Sequence, residues 1–161
     1  MIDVSLLRID DRLIHGQIIA RWISHLNCNM IVVADDKAAN DSLQKTLLQM
    51  ATPNNINLKI LSVEDAVEFL NDEKEMDKAL VLVRNVESAL KLIKNGIMVE
   101  SLNVGNLSMD PAKERIFKSI WVDNTDIEGL REIESLGIQV IIRVVPEEKP
   151  ISFFHYYTRG K

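Results

Sequence analysis

Near the start of the chain, the stretch Arg8-Ile-Asp10-Asp11-Arg12-Leu-Ile-His15-Gly16-Gln17 gathers the densest set of reactive groups in the sequence. A neutral imidazole is a good nucleophile toward phosphorus and is often unprotonated near pH 7. His15 stands just before a helical pattern that starts near Gly16. The first turn of a helix offers unpaired N–H groups and the positive end of a dipole, and both favour a phosphate dianion. Gly16, with Gln17 beside it, would let backbone approach a ligand closely. Arg8 and Arg12 supply forked donors suited to phosphate oxygens. Asp10 or Asp11 could hold His15 in one tautomer or orient an arginine. Phosphoryl transfer asks for positioning and charge stabilisation more than for covalent chemistry from the protein. The segment Arg8–Arg21 carries three arginines against two aspartates, a local net of +1 in a chain of net charge −5.

Those residues need elements that hold them, and the apolar pattern supplies candidates. Strand-length runs occur at Val4–Ile9, Met30–Ala34, Asn57–Leu61, Ala79–Val83, Ser101–Val104, Ser119–Val122 and Ile138–Val144. Several are unbroken runs of Val, Ile and Leu, which suit strands buried on both faces of a parallel sheet. Between them, Ile18, Ile19, Trp22, Ile23 and Leu26 repeat at helical spacing, as do Val63, Ala66, Val67 and Leu70, then Val86, Ala89, Leu90 and Ile93. Each set makes one apolar stripe able to cover a sheet. Ser62 three before Asp65, and Thr125 three before Glu128, read as helix starts, the second as a capping box. Gly96 and Gly137 sit where helices should stop. Alternating strands and helices predict an α/β fold, a three-layer α/β/α sandwich whose mostly parallel central sheet has about six to seven strands. One domain spanning 1–161 is expected, with no linker, repeat or low-complexity tract. The tail from Pro146 holds Phe153, Phe154, Tyr156 and Tyr157, which predicts packing either on the domain or between copies of the chain in a homo-oligomer.

In such sheets function collects where strands end and helices begin. That rule adds secondary candidates. Asp35 and Asp36 end the second strand; with Asp10 and Asp11 they could make an acidic pocket for Mg²⁺, or they could simply accept helix N–H bonds. Arg84 ends the fourth strand and reads either as facing the site or as a surface ion pair. In Asn103-Val-Gly105-Asn106, Gly105 could admit a phosphate or sugar while the asparagines donate to it, unless the segment is an ordinary tight turn. Trp22 is read as core, and His25 and His155 are given no role.

Length and composition exclude several classes. The chain has 161 residues, 47% apolar and 27% charged, enough to bury a core without a disulfide or metal. One cysteine, Cys28, fits a reducing compartment. The longest apolar runs, Met30–Ala34 and Ala79–Val83, fall far short of the about 18 residues of a membrane span. The first residues lack the basic start and apolar stretch of a signal peptide. An acidic balance argues against nucleic acid as a partner.

The motif from Arg8 to Gln17 resembles the signature of the IIB components of the mannose family of the bacterial sugar phosphotransferase system (PTS). The resemblance continues through Trp22, Ile31–Asp36, Lys45-Thr46-Leu47-Leu48, Asn103-Val-Gly105-Asn106 and Val122-Asp123, so it spans essentially the whole chain. It implies the same three-layer fold. It also implies a phosphotransferase that takes a phosphoryl group on His15 from a IIA component. The group then passes to a sugar brought in by membrane IIC and IID components. By that resemblance the phosphoryl sits on Nδ1, Arg12 is the family arginine, and neither cofactor nor metal is needed. The protein would be cytoplasmic and work at the membrane face. Asn106 resembles the amino-sugar members, while mannose, glucose, fructose, sorbose and N-acetylgalactosamine all remain open. Two rivals stand beside this reading: a regulatory module that uses phosphorylation of His15 as a signal, and a metal-dependent phosphohydrolase built on the paired aspartates.

Overall fold

In a computed structural model, residues 2–72, 74 and 76–159 are described. Strand β1 (Asp3–Asp10) leads through a turn into a helical segment, π-helical at Ile18–Trp22 and continuing as α1 (Ile23–Leu26). Strand β2 (Met30–Ala34), helices α2 (Asp36–Ala39) and α3 (Ser42–Ala51), and β3 (Asn57–Leu61) follow. Next come α4 (Val63–Leu70), β4 (Lys78–Val83), α5 (Val86–Lys94) and β5 (Ser101–Asn106). The chain ends with β6 (Glu114–Phe117), β7 (Ile120–Val122), α6 (Asn124–Ser135), β8 (Gln139–Ile142), β9 (Ile151–Ser152) and α7 (Phe153–Arg159).

The described strands form a seven-stranded sheet in the order β3-β2-β4-β1-β5-β8-β9. Neighbours pair in parallel except β8 with β9. Helices cover both faces, which is the expected α/β/α sandwich. Strand side chains alternate between faces. Met30, Val32, Ala34, Ala79, Val81, Val83, Leu7 and Ile9 therefore share one core with the buried stripes of α4, α5, α6 and α7. Ile31, Val33, Leu80 and Leu82 join the other with Ile18, Trp22, Ala38 and Leu48. Because Leu7 and Ile9 point into the first core, Arg8 and Asp10 must point into the second. Strand β1 lies between β4 and β5, so those two polar side chains enter the middle of the sheet beneath the Trp22 helix.

Helix boundaries follow local chemistry. Ser62 caps α4 by accepting from the Asp65 N–H. The capping box of α6 is made by Asp123 and Asp126, two residues before the expected Thr125–Glu128 pair. Gly96 (φ 95°) and Gly137 (φ 87°) follow α5 and α6 in the left-handed region that ends helices.

Three details of the expected sheet change. Ser119–Val122 is not a sheet strand: its core, β7, pairs antiparallel with β6 in a separate hairpin that touches the main sheet's exit at a Leu107–Ile120 bridge. The seventh place is taken by β9, from the tail. The expected strand to Val144 stops at Ile142, because the carbonyls of Arg143 and Val144 turn to accept side-chain donors from Arg8 and Trp22. The tail packs on its own domain, with Phe153 and Phe154 buried in the first core.

Candidate active site

Leaving β1 at Asp10, the chain must bring His15 back over the end of its own strand. The Leu13 N–H donates to the Asp10 carbonyl at 2.9 Å. Leu13 takes φ 59°, a left-handed conformation that a branched residue seldom adopts and that costs on the order of 1–3 kcal/mol. Its side chain is buried, as is that of Ile14, and this apolar anchorage holds the turn in place. The His15 carbonyl then accepts from the N–H groups of Ile18 (3.1 Å) and Ile19 (3.3 Å) and opens the helical segment. The N–H groups of Gly16 and Gln17 precede the first of these bonds, the position where helices leave donors for an anion. Gly16 is exposed, and a Cβ placed on it would meet nothing within 4 Å.

Asp10 is the hub. It is fully buried, and its Oδ2 lies 2.8 Å from His15 Nε2. Arg12 donates from its backbone N–H and Nε to Oδ1 and from Nη2 to Oδ2, each at 3.1 Å. Arg8 donates from Nη2 to Oδ2 at 3.3 Å. Burial by itself would raise the Asp10 pKa. The hydrogen bonds from His15 and Arg12 and the charge of Arg8 outweigh it, and the pKa falls to about 2. Asp10 is therefore a carboxylate and has no proton to give. The proton in the 2.8 Å contact therefore belongs to His15 Nε2, an arrangement that in the neutral imidazole puts the lone pair on Nδ1.

Arg8 and Arg12 share that carboxylate yet differ in access. The Arg12 side chain is 41% exposed, and its other contact is Gln17 Oε1 at 3.5 Å. Arg8 is wholly buried. Burial pulls its guanidinium below the usual arginine range, against the opposing pull of Asp10.

The remaining candidates fall into two groups. Asp11 does not touch His15; it accepts from Asn106 Nδ2 (2.7 Å), the Ser108 N–H (2.7 Å) and Ser108 Oγ (2.8 Å). That latch ties the loop after β1 to the loop after β5. Asn103 is buried and accepts from Arg8 Nη1 at 2.6 Å. Gly105 is the extra residue of a bulge between β1 and β5, where Ile9 faces Val104 and Asp10 faces Asn106. A Cβ there would overlap the Arg8 guanidinium, so the absent side chain makes room for arginine. Asp35 and Arg84 form a separate pair, with Arg84 Nη2 and Nε reaching Asp35 Oδ2 at 2.9 and 3.1 Å while the same oxygen caps α2. Asp36 accepts from the Val63 N–H. Among the described residues, no hydrogen bond or ion pair joins these two aspartates to the His15 network, and no group of three or more His, Cys, Asp or Glu could hold a metal ion. The four aspartates of the Mg²⁺ reading are engaged with four different sets of donors.

The pattern of the sequence did not single out four participants. Trp22, read only as core, donates from Nε1 to the Val144 carbonyl at 3.1 Å. The carbonyls of Arg143 and Val144 act through main chain, and no residue type announces that. Ser108 carries no signal beyond its place after the Asn106 turn.

Residues 4–158 match the family described as the PTS system sorbose subfamily IIB component. The chain belongs to this family. The sorbose-specific EIIB component of Klebsiella pneumoniae is 31% identical over 92% of this chain and 92% of that protein. The N-acetylgalactosamine-specific IIB component 2 of Escherichia coli (strain K12) is 29% identical over 96% and 98% of the two chains. The mannose-specific EIIAB component of Escherichia coli (strain K12) is 32% identical over 88% of this chain but only 44% of its own length. The solved IIB domain of the Klebsiella pneumoniae sorbose permease superposes with a TM-score of 0.93, at 28% identity, over 99% of this chain and 98% of that one. The protein is thus a PTS IIB component, a phosphocarrier phosphotransferase of sugar uptake. No helix among its described residues is long and apolar enough to cross a membrane.

Proposed function

We propose that His15 carries the phosphoryl group of this IIB component on Nδ1. One observation carries the reading: a buried, ionised Asp10 holds Nε2–H at 2.8 Å and leaves Nδ1 as the free nucleophilic nitrogen. Nδ1 attacks phosphorus on a phosphohistidine of the IIA component, a P–N bond forms, and the donor's P–N bond breaks. The Nε2 proton stays against Asp10 and spreads the positive charge that develops on the ring. A sugar hydroxyl then attacks the same phosphorus, the Nδ1–P bond breaks, and the hydroxyl proton leaves to a base on the membrane component. The labile P–N bond of each donor drives the transfer that follows, and the last transfer ends in the P–O bond of a sugar phosphate, so the sequence of steps calls for no nucleotide.

Arg12 supplies the mobile charge. Exposed, and held chiefly by Asp10, it can turn its Nη groups onto the phosphoryl oxygens. Arg12→Ala should slow transfer from phospho-IIA roughly 100-fold, the usual cost of one lost charge-stabilising donor. Its thermal unfolding should stay close to that of the parent. A transfer rate unaffected by the change would remove Arg12 from the mechanism.

The remaining partners follow from the same reading. Residues 1–161 act as one IIB domain on the cytoplasmic face of the membrane. It docks in turn on IIA and on the IIC and IID components, and the membrane components choose the sugar. A mannose-specific relative in which a IIB-like region occupies 44% of an EIIAB chain supports IIA as the donor. The test is a purified IIA partner bearing radiolabelled phosphoryl. Label should move to this chain, and should leave it only when sugar and the membrane components are both present. Retention of label under those conditions would point instead to a signalling role.

A further inference from the structure

Arg8 lies under the site and never reaches its surface. The side chain is fully buried, closed in by the sheet, by Gly105 and by the Trp22 ring, whose centroid is 5.2 Å from Arg8 Cζ. Its Nη1 donates to Asn103 Oδ1 (2.6 Å) and the Arg143 carbonyl (2.8 Å). Its Nη2 is shared between Asp10 Oδ2 (3.3 Å) and the Val144 carbonyl (3.1 Å). Asn103 Nδ2 and Trp22 Nε1 tie down the same two carbonyls. Arg143 in turn donates to the carbonyls of Pro146 and Glu148, and its Cζ lies 5.7 Å from the Trp22 centroid.

This arrangement is costly if its only task is to fill space. A buried guanidinium loses its hydration, and an apolar side chain of similar volume is often as stable or more so. Arg8 Nε finds no acceptor among the described residues. The neighbouring strand gives up a side chain at Gly105 and bulges there, and β8 ends early so that its carbonyls can turn inward. Lysine, a point charge, cannot reach these separated acceptors with one planar fork.

We infer that Arg8 is a positioning residue for phosphoryl transfer: it fixes Asp10, through which His15 is oriented, and remains as the counter-ion of that carboxylate when Arg12 turns to the phosphoryl group. The inference rests on reading His15 as the carrier. The two arginines divide the work by access. Arg12 can leave Asp10 because it is exposed and weakly held on its far side. Arg8 cannot leave, since its other contacts anchor it to β5 and to the segment after β8. Without Arg8, release of the Arg12 side chain would leave a buried carboxylate with no cation beside it, only the imidazole and the Arg12 backbone N–H, so the Arg12 guanidinium would stay on Asp10 and the phosphoryl group would lose its donor.

Two variants and one measurement on the unaltered protein test this. Gly105→Ala removes no polar group, and the three heavy atoms its Cβ would meet first all belong to the Arg8 guanidinium; Arg8→Lys keeps the charge and loses the fork. Both should slow transfer from phospho-IIA by about 10- to 100-fold, the range seen when groups that orient a reactive ligand are lost. Nitrogen-15 NMR should show His15 passing from a single Nε2–H tautomer to a mixture. A purely structural Arg8 would lower the unfolding temperature and leave both readouts alone, and that result in a folded variant overturns the inference. In the unaltered protein, phosphorylation should shift the Arg12 guanidinium signals and leave those of Arg8 in place. Coupling of an Arg8 N–H to phosphorus would contradict the inference even if neither variant folds. Failure of the carrier reading is seen separately, as label retained by His15→Gln, and does not alter the tautomer result.

Discussion

His15→Gln should bring labelling by phospho-IIA down to background while the protein stays folded. Glutamine is the informative choice because its Nε2 can still donate to Asp10, so the buried carboxylate keeps a partner where the imidazole stood at 2.8 Å. The substitution then removes the nucleophile and little else. A half-buried side chain at the mouth of a helix contributes modestly to stability, and the unfolding midpoint should move by only a few degrees. Labelling that persists at the parental rate would mean that another residue receives the phosphoryl group.

Asp10→Asn should be the more damaging change overall, because it acts on both chemistry and stability. The amide cannot carry the charge that holds His15 as the Nε2–H tautomer. Losing the carboxylate behind a catalytic imidazole has cost up to about 10⁴ in rate where it has been measured, and a fall of that order in phosphoryl acceptance is expected here. The same change leaves the Arg8 guanidinium buried with no anion beside it. Breaking a buried ion pair on one side costs about 3–5 kcal/mol, so the variant should unfold well below the parent. The acid response should change as well. In the folded protein the Asp10 pKa is depressed to about 2, so its contribution is complete above the unfolded carboxylate value near 4 and is lost as pH falls toward 2. The contribution amounts to about 2 kcal/mol for a carboxylate this deeply buried. Unfolding of the parent followed between pH 5 and 2 should show that loss, and the asparagine variant should lack it. Parallel profiles for the two proteins would show that the Asp10 network does not set the acid limit.

Much of the site was legible in the sequence, for reasons that particular residues make clear. Arg8, Asp10, Arg12 and His15 stand within one strand and its exit turn, so their proximity is local and survives any error about the rest of the sheet. Their roles were not local. Arg8 and Arg12 look alike as forked donors; what separates them is that β1 sits between β4 and β5, and strand order is a property of the whole chain. The choice between Asp10 and Asp11 could have been made by parity, since Arg8 and Asp10 share a strand face and Asp11 lies past the strand end. For Gly105 the sequence offers room for a ligand or an ordinary tight turn; it is neither, and the space is occupied by Arg8 from the adjacent strand.

The sheet shows the same division. Unbroken apolar runs such as Met30–Ala34 specify doubly buried strands, and β2 has those bounds. Ile120–Val122 is also an unbroken apolar run, though a shorter one, yet it pairs with β6, whose Glu114 and Arg115 carry no strand signature. The tail, broken by Pro146 and Pro150, hid a two-residue strand and a helix whose Phe153 and Phe154 complete the core. At Val144 an apolar pattern was overruled by hydrogen bonding, because buried side-chain donors claimed carbonyls that a longer β8 would have used.

In the proposed mechanism Asp10 leaves Nδ1 of His15 as the phosphoryl acceptor. The most direct measurement is nitrogen–phosphorus correlation NMR on this chain, labelled with nitrogen-15 in its histidines and phosphorylated by phospho-IIA. One phosphorus signal coupled to Nδ1 of His15 is expected, with Nε2 still protonated against Asp10. A phosphorus signal coupled to Nε2, or to a histidine other than His15, would contradict it.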